Sequence, residues 1–259
     1  MSLVTFDVDA DVCTITINRP EKRNAVDGAT ARELRAAFEG FEADPALRVA
    51  ILTGAGDNFC AGADLSVVGN PALRNELDPE GGGSGPMGPS RMALSKPLIA
   101  ALTGYAVAGG LELALLADLR VADPNAVLGV FCRRWGVPLI DGGTVRLPRI
   151  VGMARALDLI LTGRPVAAPE ALAMGLVNRV SAPNNALSEA QALARDIAAF
   201  PQQCMLTDRH SAYAQWDLPL AEALRQEGAR GVPMVAAEGQ AGAERFATGA
   251  GRHGKFNGR

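Results

Sequence analysis

Two glycine-rich turns hold the residue types from which a reactive site could be built in this 259-residue chain. The first, GAGDNFCAGADL, runs from Gly54 to Leu65. Ala61, Gly62 and Ala63 are small enough for a ligand to approach the main chain, and an amide left free by the turn can donate to an anion. Taken alone, the stretch reads equally as a tight structural turn. The second, GYAVAGGLELALLAD, runs from Gly104 to Asp118. Gly109 and Gly110 stand where a helix begins, so unpaired N–H groups and the positive end of the helix face whatever lies in front. Two such turns meeting at one sheet edge would offer two convergent donors, the means of polarising a thioester carbonyl. Glu112, in the first helical turn, adds a carboxyl among Leu111, Leu113, Ala114 and Leu115. Partial burial there would raise its pKa and make it a better proton shuttle; the plainer reading is a solvated helix residue. Neither turn contains Gly-Lys-Thr or Gly-Lys-Ser, and Gly54, Gly56 and Gly62 do not have dinucleotide spacing.

The elements that must position these turns follow a repeated order. Val12 to Ile17 alternates Cys13, Ile15 and Ile17 against Thr14 and Thr16, a strand with one buried face. Asp27 can cap a following helix whose Leu34, Phe38 and Phe41 form one apolar stripe. Val49 to Leu52 is a buried strand leading into the first turn, and Leu98 to Leu102 leads into the second. Leu119 to Ala122 and Leu176 to Val180 are further strand candidates. Helical patterns run from Leu187 through Ala199 and from about Cys204 to Arg230. Short buried strands followed by helices predict an α/β fold with a largely parallel sheet, and a helical end that could be a separate association layer. Asn70 to Ser90, rich in Gly, Pro and Ser, reads as a mobile loop outside the core, either a substrate lid or a plain surface insertion.

Composition narrows the function classes. The formal net charge is -3 with no Lys and Arg run, which argues against nucleic acid as a partner. Cysteines at 13, 60, 132 and 204 are too scattered for a metal knuckle or redox pair. His210 and His253 give little material for a metal site or a histidine triad. The amino terminus does not read as a signal peptide and no apolar run reaches membrane-spanning length, so no membrane is expected and a cytoplasmic location is.

Five stretches together resemble the crotonase superfamily, also called the enoyl-CoA hydratase/isomerase family. They are NRPEKRNAV at 18 to 26, GAGDNFCAGADL, KPLIAALTGYAVAGGLELALLADLRVA at 96 to 122, GVPLIDGGTVRLPRIVG at 136 to 152, and LTGRPVAAPEALAMGLVNRV at 161 to 180. The resemblance runs from about Leu3 to Phe256. It implies a spiral ββα core over 1–195 with a helical trimerisation region over 196–259, assembled as a homotrimer or a dimer of trimers. It implies an acyl-CoA thioester as substrate, coenzyme A being part of that substrate, with no separate cofactor and no metal. The amides of Ala63 and Gly109 would form an oxyanion hole. Ala61, Gly62, Ala63, Asp64 and Leu65, with the backbone near Lys22 and Arg23, would cradle the coenzyme A, and Lys255 and Phe256 could reach the nucleotide of a neighbouring chain.

The family's hydratases flank a water with two glutamates. Glu112 matches the first. Twenty residues on, where the family pattern has Pro-Glu, this chain has Phe131 and Cys132. Hydration assigns two proton tasks to two positioned groups, so this departure matters. Cys132 could move a proton but is more simply packing, because a buried thiol holds its proton. Asp141 lies within one residue of an acid used by some isomerases and dehalogenases of the family; its plainer role is N-cap of the helix that Gly142 opens. Arg133 or Arg134 could hold a carboxylate or carbonyl of the acyl group, or could pair with Asp118, Asp123 or Asp141. The leading reading is an enoyl-CoA hydratase-like enzyme. The alternatives are a double-bond isomerase or another acyl-CoA reaction such as thioester hydrolysis, and a non-catalytic acyl-CoA-binding protein.

Overall fold

The computed structural model describes residues 2–251. The chain divides into two compact units, the boundary falling after Ala198.

The first unit opens with β1 (Val4–Asp9) and β2 (Val12–Ile17), then α1 (Gly28–Ala43), β3 (Val49–Gly54), β4 (Leu98–Leu102), β5 (Tyr105–Val107), α2 (Gly109–Leu116), β6 (Leu119–Ala122) and β7 (Val127–Gly129). It continues through α3 (Gly143–Val151), α4 (Met153–Thr162), β8 (Val166–Ala167), α5 (Ala168–Ala173), β9 (Arg179–Val180) and α6 (Ala186–Ala198). The main sheet has the order β1-β2-β3-β4-β6-β9, with β1 and β2 antiparallel and the other pairs parallel. A second sheet, β5-β7-β8, was not legible in the sequence pattern, because strands of two or three residues show no usable period.

The main sheet is covered on both faces, which is why β3 and β4 are apolar without alternation. Val12, Val49, Ile51, Ile99 and Val121 meet Ala186, Ala190, Leu193 and Ala194 of α6. On the opposite face Cys13, Ile15, Ala50, Leu52, Leu98 and Ala100 meet Leu34, Phe38 and Phe41 of α1. Asp27 fixes the start of α1, its Oδ1 accepting the Thr30 amide at 2.8 Å, as the sequence predicts. Because α6 packs as one piece, it belongs wholly to the first unit, and the expected boundary at 195/196 would cut its last turn.

Two expected elements are shorter or broken. Of Leu176 to Val180 only β9 is strand, since the amides of Leu176 and Val177 both turn back to the Ala171 carbonyl. The helical run from Cys204 becomes two helices of the second unit, α7 (Gln202–Ala214) and α8 (Leu220–Met234), separated where Pro219 cannot continue the ladder. A π-helical turn at Val235–Gly239 leads to α9 (Gln240–Ala247). Within this unit Glu238 accepts the amides of Gln203 and Cys204, capping α7. None of its helices has a buried residue, and Leu220, Leu224, Val232 and Phe246 are exposed.

Asn70 to Ser90 departs from the expected mobile loop. Its first half is mainly exposed, but Pro86 to Ser90 are buried and Met87 packs into the core. Asn75 Nδ2 donates to the Pro86 carbonyl at 2.9 Å, and Asp78 accepts the amides of Glu80 and Gly82. Composition hides this, because polar side chains satisfy the loop backbone internally instead of water.

Among the described residues no helix is long and apolar enough to cross a membrane, and no group of three metal-ligating side chains lies together.

Candidate active site

The buried Asn24 carboxamide ties the first turn to the preceding segment. Its Nδ2 donates to Ala55 and Asn58 carbonyls at 2.9 and 2.6 Å, while its Oδ1 accepts the Arg19 amide at 2.9 Å. Beyond it, Val26 and Ala63 form an isolated parallel bridge in which the Val26 amide donates to Gly62 O and the Asp64 amide donates to Val26 O. In a parallel bridge the central residue's own amide points the other way. The Ala63 amide therefore leaves the bridge unused, with no acceptor among the described residues.

The second turn reaches this place through Ala108, held at φ 55 and ψ -126, an arrangement alanine seldom adopts. It directs the amide of Gly109, first residue of α2, out of the chain with no acceptor among the described residues. Gly62 brings the two together. It has φ +96, and a Cβ there would stand 2.9 Å from the Ala108 Cβ and 3.0 Å from the Gly109 nitrogen. Only glycine fits both demands.

Ala63 and Gly109 line a cavity of about 580 Å³, together with Arg23, Ala61, Leu65, Glu112 and Asp141. Glu112 is only 2% exposed. Its Oε1 accepts the amides of Asp141 at 2.9 Å and Gly143 at 2.8 Å. Burial, followed by the nearby charge of Asp141, pushes its pKa up to about 7 against those two hydrogen bonds. The solvated-helix reading of Glu112 thus gives way to a buried, perturbed acid.

Asp141 is 4% exposed, and burial raises its pKa too. It is not the N-cap of α3. Gly142 holds that position without a side-chain cap, and the first amide of the helix, Gly143, goes to Glu112 instead. The Asp141 carboxylate accepts the Met87 amide at 2.8 Å and the Ser90 hydroxyl. Ser90 and Met87 are contributors the sequence reading missed; nothing local marks them, since their partner lies more than fifty residues away.

Cys132 is buried beside the cavity, and burial with the neighbouring Glu112 charge raises its thiol pKa, so it stays protonated near neutrality. Arg133 and Arg134 take none of the three expected acidic partners. Arg133 Nε donates to Ile160 O at 3.1 Å, and Arg134 Nη2 donates to Gly163 O at 3.0 Å. Arg134 also lies 4.0 Å over the Phe131 ring and lines the cavity, which Arg133 does not.

Three of the expected coenzyme A contacts, Lys22, Gly62 and Asp64, do not line the cavity. Asp64 is engaged by Arg19 at 3.1 Å and by Ser66; although burial opposes it, these partners hold its carboxyl below the usual range. Lys255 and Phe256 lie outside the described residues.

The pattern of the enoyl-CoA hydratase/isomerase family matches residues 7–247. The chain belongs to this family. A probable enoyl-CoA hydratase of Rhizobium meliloti is 40% identical over 230 residues, 88% of each chain. The (E)-benzylidenesuccinyl-CoA hydratase of Thauera aromatica is 37% identical over 218 residues, 84% of each. The crystal structure of the enoyl-CoA hydratase EchA1 from Mycobacterium marinum superimposes with a TM-score of 0.87 at 35% identity, over 95% of this chain and 96% of that one. The α/β crotonase fold and membership of an enzyme family follow from these likenesses.

Proposed function

We propose that this member of the enoyl-CoA hydratase/isomerase family adds water to the conjugated double bond of an acyl-coenzyme A thioester. The thioester oxygen sits between the amides of Ala63 and Gly109. Electron density reaching it from the attacked double bond is met by two donors, and removing one such donor from a comparable hole costs about 3 to 4 kcal/mol. Glu112, ionised, takes a proton from the water whose oxygen bonds to the β carbon. Glu112 then passes that proton to the α carbon, and the charge of the neighbouring Asp141 carboxylate, which raises the Glu112 pKa, keeps the proton exchangeable there. Coenzyme A enters as part of the substrate, along Arg23, Ala61, Ala63 and Leu65, which line the cavity.

One observation carries this reading: Ala63 and Gly109, whose amides have no acceptor among the described residues, line the same cavity as the buried Glu112 and Asp141. Glu112 thereby shuttles the proton, and Asp141 supplies the second carboxyl in place of the family pattern's second glutamate, while Cys132 at that position holds a proton it does not release. A second reading, double-bond isomerisation, is favoured by the same substitution, because one mobile proton and no second glutamate suffice to shift a double bond.

The test is incubation of the full chain with trans-2-enoyl-CoA and trans-3-enoyl-CoA thioesters in deuterated water. A 3-hydroxyacyl product with deuterium at the α carbon supports hydration, and exchange with only a shifted double bond supports isomerisation. Absence of turnover and exchange, or exchange that survives Glu112→Gln, overturns the assignment.

A further inference from the structure

Arg74 is a half-buried residue that lines the cavity, and its guanidinium makes no hydrogen bond or ion pair among the described residues. Other arginines near the core are satisfied: Arg19 by Asp27 and Asp64, Arg120 by the Leu176 and Ala117 carbonyls, Arg146 by the Ser90 and Asp141 carbonyls. A planar five-donor fork with no internal partner at a cavity wall is suited to an anion from outside.

Its backbone is fixed. The Gly28 amide at the start of α1 donates to the Leu73 carbonyl at 2.9 Å, and the Arg74 amide donates to the Asn70 carbonyl at 2.9 Å. The neighbouring Asn75 side chain holds the Pro86 carbonyl at 2.9 Å. Met87, next in chain, donates its amide to Asp141 and lies so close to Gly109 that a Cβ there would meet its sulfur at 2.8 Å. The segment carrying Arg74 is therefore tied through Asn75 to the Pro86–Met87 stretch that holds Asp141.

The other two cavity arginines belong to a separate ladder. Arg23 lies 5.5 Å from the Tyr105 ring, Tyr105 and Phe131 are 6.5 Å apart, and Arg134 covers Phe131. Arg23 is joined to the first turn, its carbonyl accepting the Ala61 amide at 3.0 Å. Of the three arginines that line the cavity Arg74 is the one outside this ladder, and the lining also holds the apolar Leu65, Val68, Leu77 and Ile140.

We propose that Arg74 anchors a carboxylate at the far end of the acyl group, so that the substrates are coenzyme A thioesters of dicarboxylic acids. This rests on the cavity being an acyl-CoA site as argued above. A carboxylate in an otherwise apolar acyl pocket requires such a partner, and a methyl-ended chain would leave Arg74 desolvated without one.

The experiment is calorimetric titration of the full chain with two saturated thioesters of equal carbon count, glutaryl-CoA and pentanoyl-CoA, which bind without being hydrated. The wild type should bind glutaryl-CoA about 10-fold or more tightly, the worth of one charge-assisted hydrogen bond. Arg74→Gln should bring the ratio to about one, and Arg74→Lys should keep part of it. A wild-type ratio at or below one overturns the proposal, as does an Arg74→Gln variant that weakens both thioesters equally, which would place Arg74 on the coenzyme A phosphates. If both thioesters bind without discrimination, only this inference fails; if neither binds, the acyl-CoA reading fails with it.

Discussion

The main-chain amide of Asp141 donates to the Glu112 carboxylate at 2.9 Å, so the backbone of one acid fixes the side chain of the other. Glu112 is carried by α2, whose first amide is one of the two unpaired donors, and Asp141 immediately precedes Gly142, the N-cap of α3. The acids and the Gly109 donor are therefore set by two helix starts, and the Ala63 donor by its bridge with Val26.

A first consequence concerns pH. The Glu112 carboxyl rises from the usual 4.5 to about 7, so the folded chain holds its proton more tightly than the unfolded chain does. Its contribution to stability is complete below about pH 4.5 and is lost as the pH rises through about 7. Hydration needs the ionised form and runs the opposite way, with kcat/KM rising with pH and levelling above about 7. A kcat/KM profile recorded from pH 5 to 9 with no inflection near neutrality would contradict the base role.

Replacing Glu112 by Gln keeps an oxygen that can accept the Asp141 and Gly143 amides, so the fold should survive with little change in Tm. Turnover should fall by about 10² to 10⁴, the range for a lost general base. Substrate KM should change far less than kcat. Loss of folding in this variant, seen by circular dichroism, would show that the charge of Glu112 is structural.

Asp141 and Cys132 should separate cleanly. Asp141→Asn retains an acceptor for Met87 and Ser90 but loses the charge that raises the Glu112 pKa, and should lower kcat by at least about 10-fold. Cys132→Ala should leave kcat within about a factor of three, because its thiol stays protonated and moves nothing. The reverse ranking in steady-state assays would transfer the second proton task to Cys132.

Gly62→Ala tests the approach of the two turns. The substitution strains a φ of +96 and puts a methyl 3.0 Å from the Gly109 nitrogen. Strain of about 1 to 3 kcal/mol is expected from the backbone alone, read as a lower Tm. kcat should drop together with it as the amides are pushed apart. A variant with wild-type kcat would mean that the two amides do not act as a pair.

We expect the exposed apolar residues of the second unit, among them Leu220, Val232 and Phe246, to be covered by other copies of the chain. Sedimentation should give a mass three or six times 26.9 kDa. A monomer at micromolar concentration would remove that role from the helical end.

Much of this protein can be read from its residues in order. The period of Cys13, Ile15 and Ile17, the Asp27 cap, the stripe of Leu34, Phe38 and Phe41, and the glycines of both turns are local signals. Each depends on neighbours within a few positions, and the likeness of five such stretches to one family gave the fold class. The same resemblance also put Glu112 on a position of the family pattern and showed Cys132 where that pattern has a glutamate.

What the chain order could not determine is which distant groups become partners. The Asp141 carboxylate has a capping pattern in sequence, yet folding gives it the Met87 amide and the Ser90 hydroxyl, while Glu112 receives the amide a cap would have taken. The stretch from Asn70 to Ser90 has the composition of a free loop, yet it buries Met87 and presents Arg74 to the cavity. Hydrogen bonds between residues 29 to 54 positions apart arise only when the sheet and helices have packed. Composition and period record local preference, whereas the environment of an ionisable group is set by whatever the packed chain brings against it.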